Sequence, residues 1–76
     1  MNNRRRKELE KAVSLLEEAR SIIEDCMNEE EEYRDNMPEN LQSSEKYETA
    51  DNACYNMDNA LAKLEDAIED VEEAQS

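Results

Sequence analysis

The stretch Arg34–Glu48, RDNMPENLQSSEKYE, decides how this chain folds. It holds the only proline, and the chain has no glycine at all. The residue before a proline is biased out of the helical region, so a helix entering from the N-terminal side must stop by Met37. Asn36 can cap a short turn with Pro38 in an early position and Glu39 three residues after the cap. Ser43 or Ser44 can then cap a second helix, with Glu45 and Glu48 in its first turn, where negative charge is favoured. Met37 and Leu41 are expected to fold back over the end of the core.

On either side of this break the apolar residues keep a seven-residue period. Upstream, Ala12, Ala19, Cys26 and Tyr33 form one column. Leu15 and Ile22 form a second, Leu9, Leu16 and Ile23 a third, and Val13 and Met27 lie at the edge. Three adjacent columns make a broad apolar stripe on one helix face. Downstream, Tyr47, Cys54, Leu61 and Ile68 form one column and Ala50, Met57, Leu64 and Val71 the next. Ala53, Ala60, Ala67 and Ala74 form a third that is alanine throughout. A column of methyl groups lets a neighbouring helix approach closely, so the stripe reads as a packing seam, not a cofactor box.

The reading is therefore all-α: one domain over residues 1–76, with a helix over about 4–35, a turn over about 36–43 and a helix over about 44–74. The arms form an antiparallel hairpin, each roughly 45 Å long. The first helix is expected to start near Asn3 to Arg5, with Asn2 or Asn3 as its cap. Two helices cannot cover both sides of two three-column stripes. A second hairpin completes the core, giving a dimeric four-helix bundle like that of the ROP family. Leu16, Ile23, Ala53, Met57, Ala60, Leu61, Leu64, Ala67 and Ile68 are the expected dimer core, with the alanine column as the close-packed seam. A chain of 76 residues makes only a small core by itself, which also favours assembly.

Charge sets the functional classes. There are 22 acids against 9 bases, a net of −13, and four of the bases sit together at Arg4–Lys7. Beyond Lys7 the chain has five bases and 22 acids, a body charge of −17. Such a surface repels nucleic acid and attracts basic protein. The basic arm can be imagined touching nucleic acid while the body recruits protein, but it is too short to outweigh that charge alone.

With no His and two Cys, no zinc-finger set can be built, and without glycine there is no calcium loop. A two-helix chain offers no cleft for a pair of catalytic carboxylates, and no nucleophile has a base beside it, so the expectation is a non-enzyme with no cofactor and no metal. No apolar h-region follows the N-terminal basic residues and no run of about 18 apolar residues exists, so neither a signal peptide nor a membrane span is expected. Two cysteines in such a chain read as reduced thiols of a cytoplasmic protein. Cys26 and Cys54 are expected at one level of the hairpin, either as two buried hydrophobes or as a disulfide in an oxidising setting.

Carboxylates on adjacent helical turns lie about 5–6 Å apart, near the phosphate spacing along one nucleic-acid strand, so an acidic helix face can occupy a basic groove built for DNA or RNA. Glu29, Glu30, Glu31, Glu32, Asp35 and Glu39 at the turn end, and Glu65, Asp66, Glu69 and Asp70 on the second helix, are the expected partner-binding acids. Tyr55 falls one position off the stripe, among Asn52, Asn56 and Asn59, and joins them as an exposed contact. Glu29–Glu32 stand out because they oppose the dipole of the helix they end.

The turn segment EEEEYRDNMPENLQSSEKYETA, with ELEKAVSLLEEARSIIED before it and LAKLEDAIEDVEEA after it, resembles small acidic proteins encoded by phages and prophages of Firmicutes. The resemblance carries no catalytic residues. It implies a setting in which short phage proteins bind host proteins in the bacterial cytoplasm, defence systems such as CRISPR–Cas among them. The first expectation is thus a phage-encoded inhibitor of a host defence or nucleic-acid-handling complex, acting by nucleic-acid mimicry on a basic protein. The second is a dimerisation or regulatory module whose acidity serves only solubility.

Overall fold

In the computed structural model, which describes residues 1–76, two long helices lie antiparallel in a rod of 59 × 14 × 13 Å. Helix α1 spans Asn3–Asp35 and helix α2 spans Glu45–Ala74, with a 3-10 turn at Glu39–Leu41 between them. There is no strand, and the two helices pack along their length.

The ends follow from capping chemistry. Asn2 is the N-cap of α1, its Oδ1 accepting from the Arg5 amide at 2.9 Å. Ser44 caps α2, its hydroxyl oxygen accepting from the Tyr47 amide at 3.3 Å while its O–H donates to the Leu41 carbonyl. Glu45 and Glu48 occupy the first turn of α2, where the helix dipole favours them. Asn36 has another part than that expected of it: it closes α1, donating its amide to the Glu32 carbonyl at 3.0 Å, and Pro38 precedes the 3-10 turn. Proline suits that place because it has no N–H to leave unpaired. Leu41 does not fold over the core; it stays 44 % exposed while Met37 is half-buried.

The core is one seam thick. Only Ala50, Cys54, Leu61 and Ile68 are buried, and all four belong to α2. The half-buried Tyr47, Met57, Leu64, Val71 and Gln75 complete the alternating three- and four-residue spacing of a heptad seam. On α1 the half-buried positions Leu9, Val13, Leu16, Arg20, Ile23, Met27, Glu30 and Arg34 keep the same spacing. Arg6 continues it toward the N-terminus, so three arginines stand in line with Val13 and Met27. No residue of α1 is fully buried, because long polar side chains interrupt its half of the seam.

Leu16, Ile23, Met57, Leu61, Leu64 and Ile68, the expected dimer-core residues, line the seam between the chain's own helices, the first place two apolar arms can bury area. Tyr33, the last residue of its apolar column, is 51 % exposed. Cys26 and Cys54 do not share a place: both are free thiols, Cys26 exposed and Cys54 buried, because they occupy different heptad columns.

Candidate functional site: two flanks of opposite character

The seam leaves two flanks along the rod. Reversing one helix relative to the other puts the residues preceding each seam position of one arm beside their equivalents on the other arm. A groove lined by Glu30, Tyr33, Glu45, Lys46, Thr49 and Ala50 shows this on one side of the hairpin, at the turn end. On that side α1 presents Ala12, Ala19, Cys26 and Tyr33, with Leu15 and Ile22 just beyond, and α2 presents Ala53, Ala60, Ala67 and Ala74. Leu15 is 56 % exposed and Ile22 58 %, values typical of a helix face that nothing covers. This is the apolar flank.

On the opposite flank the equivalent positions of α1 are Glu10, Glu17, Glu24 and Glu31, and those of α2 are Asp51, Asp58, Glu65 and Glu72. All eight are carboxylates. Seven residues of helix rise about 10.5 Å, so each arm displays one acid about every two turns, and the two rows run side by side. Glu18, Asp25 and Glu32 on α1 and Asp66 and Glu73 on α2 lie exposed on the backs of the helices, away from the seam.

One cation crosses into the acidic rows. Arg34 Nη1 donates to Asp51 Oδ1 at 3.0 Å, tying the two helices together, and its Nε donates to Asp35 Oδ1 at 2.9 Å. Held first by its hydrogen bond to the Asp35 carboxylate, the guanidinium has its pKa raised, so it is charged at every accessible pH. Arg34 is half-buried but Asp51 is exposed to water, which limits the energy of the bridge. The thiol of Cys54 lies deeper in the seam, and burial raises its pKa, opposed by the positive charge of Arg34.

The residues expected to bind a partner do not form one surface. Glu29–Glu32 are consecutive and so spread round the helix: Glu30 and Glu31 are half-buried, while Glu29 and Glu32 are exposed. Asp35 is engaged by Arg34, and Glu39 lies exposed in the 3-10 turn. Glu65, Asp66, Glu69 and Asp70 wrap from the acidic flank round the back of α2, where Tyr55 is 68 % exposed. The acids that do share a side include Glu10 and Glu17, which counting charge density at the turn passes over. Their signal was present as a seven-residue repeat of carboxylates directly beside the apolar one.

At the turn end, Tyr33, Asn36, Met37, Pro38, Leu41, Ser44, Glu45 and Lys46 line an open groove of about 600 Å³. No group of three or more metal-ligating side chains comes together, and no helix is long and apolar enough to cross a membrane. The chain matches no protein-family model, no curated protein and no solved structure.

Proposed function

We propose that this chain is an acidic binding protein that occupies a basic, nucleic-acid-handling surface of another protein. The observation that carries the reading is the segregation of charge: eight carboxylates at equivalent positions on one flank and none at the eight equivalent positions on the other. A protein that is acidic only for solubility spreads its charge over the whole surface. A one-sided strip gives a directed field that steers a basic groove onto it and mimics a run of phosphates. The resemblance to phage-encoded acidic proteins extends the proposal to a target in a host defence complex.

The test is elution of DNA-cellulose-bound bacterial proteins by the pure chain. Elution beyond that given by the same buffer alone is expected at low salt, and none beyond it near roughly 1 M salt, where the screening length falls to about 3 Å. The variant Glu10→Gln, Glu17→Gln, Glu24→Gln, Glu31→Gln should elute nothing while keeping its helicity. Equal elution by the variant would sink the mimicry reading.

The uncovered apolar flank supports a second element of the proposal. A second copy covers it and the two hairpins make a four-helix bundle with their acidic flanks outward. Sedimentation equilibrium should return twice the chain mass, and a monomer at every concentration would remove this element.

A further inference from the structure

We propose that the groove at the turn end takes one aromatic side chain of a basic partner, with the lysine or arginine beside that side chain held by Glu30 and Glu45. The inference rests on the reading of a basic protein partner and adds a second contact, chemically unlike the acidic strip and on the other side of the seam from it.

Two adjoining cavities make the groove. The larger, about 600 Å³, has apolar walls in Tyr33, Met37, Pro38 and Leu41. The smaller, about 320 Å³, is walled by Glu30, Thr49 and Ala50. Tyr33, Glu45 and Lys46 line both, so the two run into each other. Cavities of this size enclose small ligands elsewhere, and one aromatic side chain fits within such a volume.

The turn builds these walls. Pro38, with φ −58°, starts the 3-10 turn that carries Leu41 away from the seam. Leu41 is left 44 % exposed and Tyr33, in the last turns of α1, 51 %. The ring of Pro38 holds its own backbone angle, so part of the wall needs no ordering when it is filled. Along α1 the aliphatic column of Leu15 and Ile22 passes to Glu29 and then Asn36. The groove therefore begins where the aliphatic part of that flank ends.

Charge selects the occupant. The structure has two ion pairs, and Arg34 makes both. Glu30, half-buried at the edge of the seam, and Glu45 have no cationic partner, and Lys46 is paired with neither. Glu29 stands one helical turn before Tyr33 and adds a third carboxylate against the single charge of Lys46. A half-buried carboxylate beside apolar walls is less screened than one in open water, so it attracts a cation more strongly. A cation brought there also meets the ring of Tyr33. An apolar slot with a carboxylate edge is the complement of an aromatic side chain flanked by lysine or arginine. That pairing is how proteins grip single strands, stacking on the base and holding the phosphate. The partner class narrows accordingly, from basic surfaces in general to those that bind single-stranded nucleic acid.

The test uses dye-labelled peptides and the full chain, read by fluorescence anisotropy at low salt. The peptide KKWKK should bind about tenfold tighter than KKAKK, and EEWEE should not bind. Tyr33→Ala and Leu41→Ala, both at exposed positions, should each remove most of the preference for KKWKK with helicity unchanged. Tyr55→Ala, at a tyrosine 68 % exposed on the back of α2, should keep it. Glu30→Gln with Glu45→Gln should weaken KKWKK about tenfold. The four-glutamine variant of the acidic strip should keep the ratio of KKWKK to KKAKK, whatever it does to elution from DNA-cellulose. Equal binding of KKWKK and KKAKK, or a preference that survives Tyr33→Ala, overturns the groove contact and leaves the strip standing. So does a Tyr33→Ala chain that turns from dimer to monomer on sedimentation while the parent binds no peptide, because a second copy then fills the groove. Equal elution by the strip variant, with the peptide preference intact, overturns the strip and supports the groove.

Discussion

The two flanks of this hairpin border the same heptads on opposite sides of the seam they share. On one, Ala12, Ala19, Cys26 and Tyr33 lie beside the alanine column; on the other, Glu10, Glu17, Glu24 and Glu31 lie beside Asp51, Asp58, Glu65 and Glu72. The apolar flank costs the isolated chain, because Leu15 and Ile22 are left in water. The acidic flank costs it too, because like charges face each other across the seam. Neither feature helps two helices hold together. Under the proposed function each answers to a surface outside the chain, the first to one that takes apolar area and the second to one that takes negative charge.

The seam and the flanks should therefore respond very differently to truncation. Leu61→Ala or Ile68→Ala removes packing that the hairpin itself makes and should cost about 2–4 kcal/mol in urea unfolding. Leu15→Ala should cost the dilute monomer no more than about 0.5 kcal/mol, yet lower the concentration dependence of the unfolding midpoint. If both classes of variant cost the same at every concentration, the division between seam and flank is wrong. Ala60→Leu places bulk where the flank demands close approach. It should weaken the dimer by about 1–3 kcal/mol, seen as a shift to monomer on size exclusion, with helicity unchanged. Ser44→Ala removes the cap of α2 and should cost about 1 kcal/mol whatever the state of assembly, which makes it the control for a purely local loss.

The smallest effects sharpen the electrostatic half of the comparison. Burial favours the neutral thiol of Cys54 in the folded state, so its folded pKa lies above its unfolded one. Its contribution is complete below the ordinary thiol value of 9.0 and is lost as the pH rises past it. Unfolding midpoints should fall from about pH 8 to about pH 10, and Cys54→Ala should flatten that slope, while exposed Cys26→Ala should not. Glu24→Gln, in the acidic row away from Arg34, should stabilise the chain by a few tenths of a kcal/mol at low salt. A loss there would mean that Glu24 is already paired within the chain.

Much of this architecture is legible in the letters. The lone proline with its polar neighbours marks the break, and Asn2 and Ser44 are caps by residue type. What pattern reading leaves open is how a stripe three columns wide is shared. On α1 all three columns are apolar enough to pack, but α2 covers a band only two columns wide. The fold seats Leu9, Leu16 and Ile23 with Val13 and Met27 against α2, and leaves Leu15, Ile22, Cys26 and Tyr33 outside. The arginines tip that choice. Arg6, Arg20 and Arg34 continue the Val13–Met27 line, and from the edge of the seam Arg34 reaches the acidic row across it. The same ambiguity hid the separation of Cys26 from Cys54, since two cysteines on one broad stripe look alike until it is divided.

By itself the sequence determined that there would be two helices, where they would break and that each would carry an apolar heptad, because helix propensity, capping and period are local properties. Only the tertiary structure decided which columns meet. Its decision set Ala12, Ala19, Cys26 and Tyr33 with the alanine column along one border of the seam and eight carboxylates along the other. That sorting depends on the rotation of each helix about its axis, which is set by packing against the other arm.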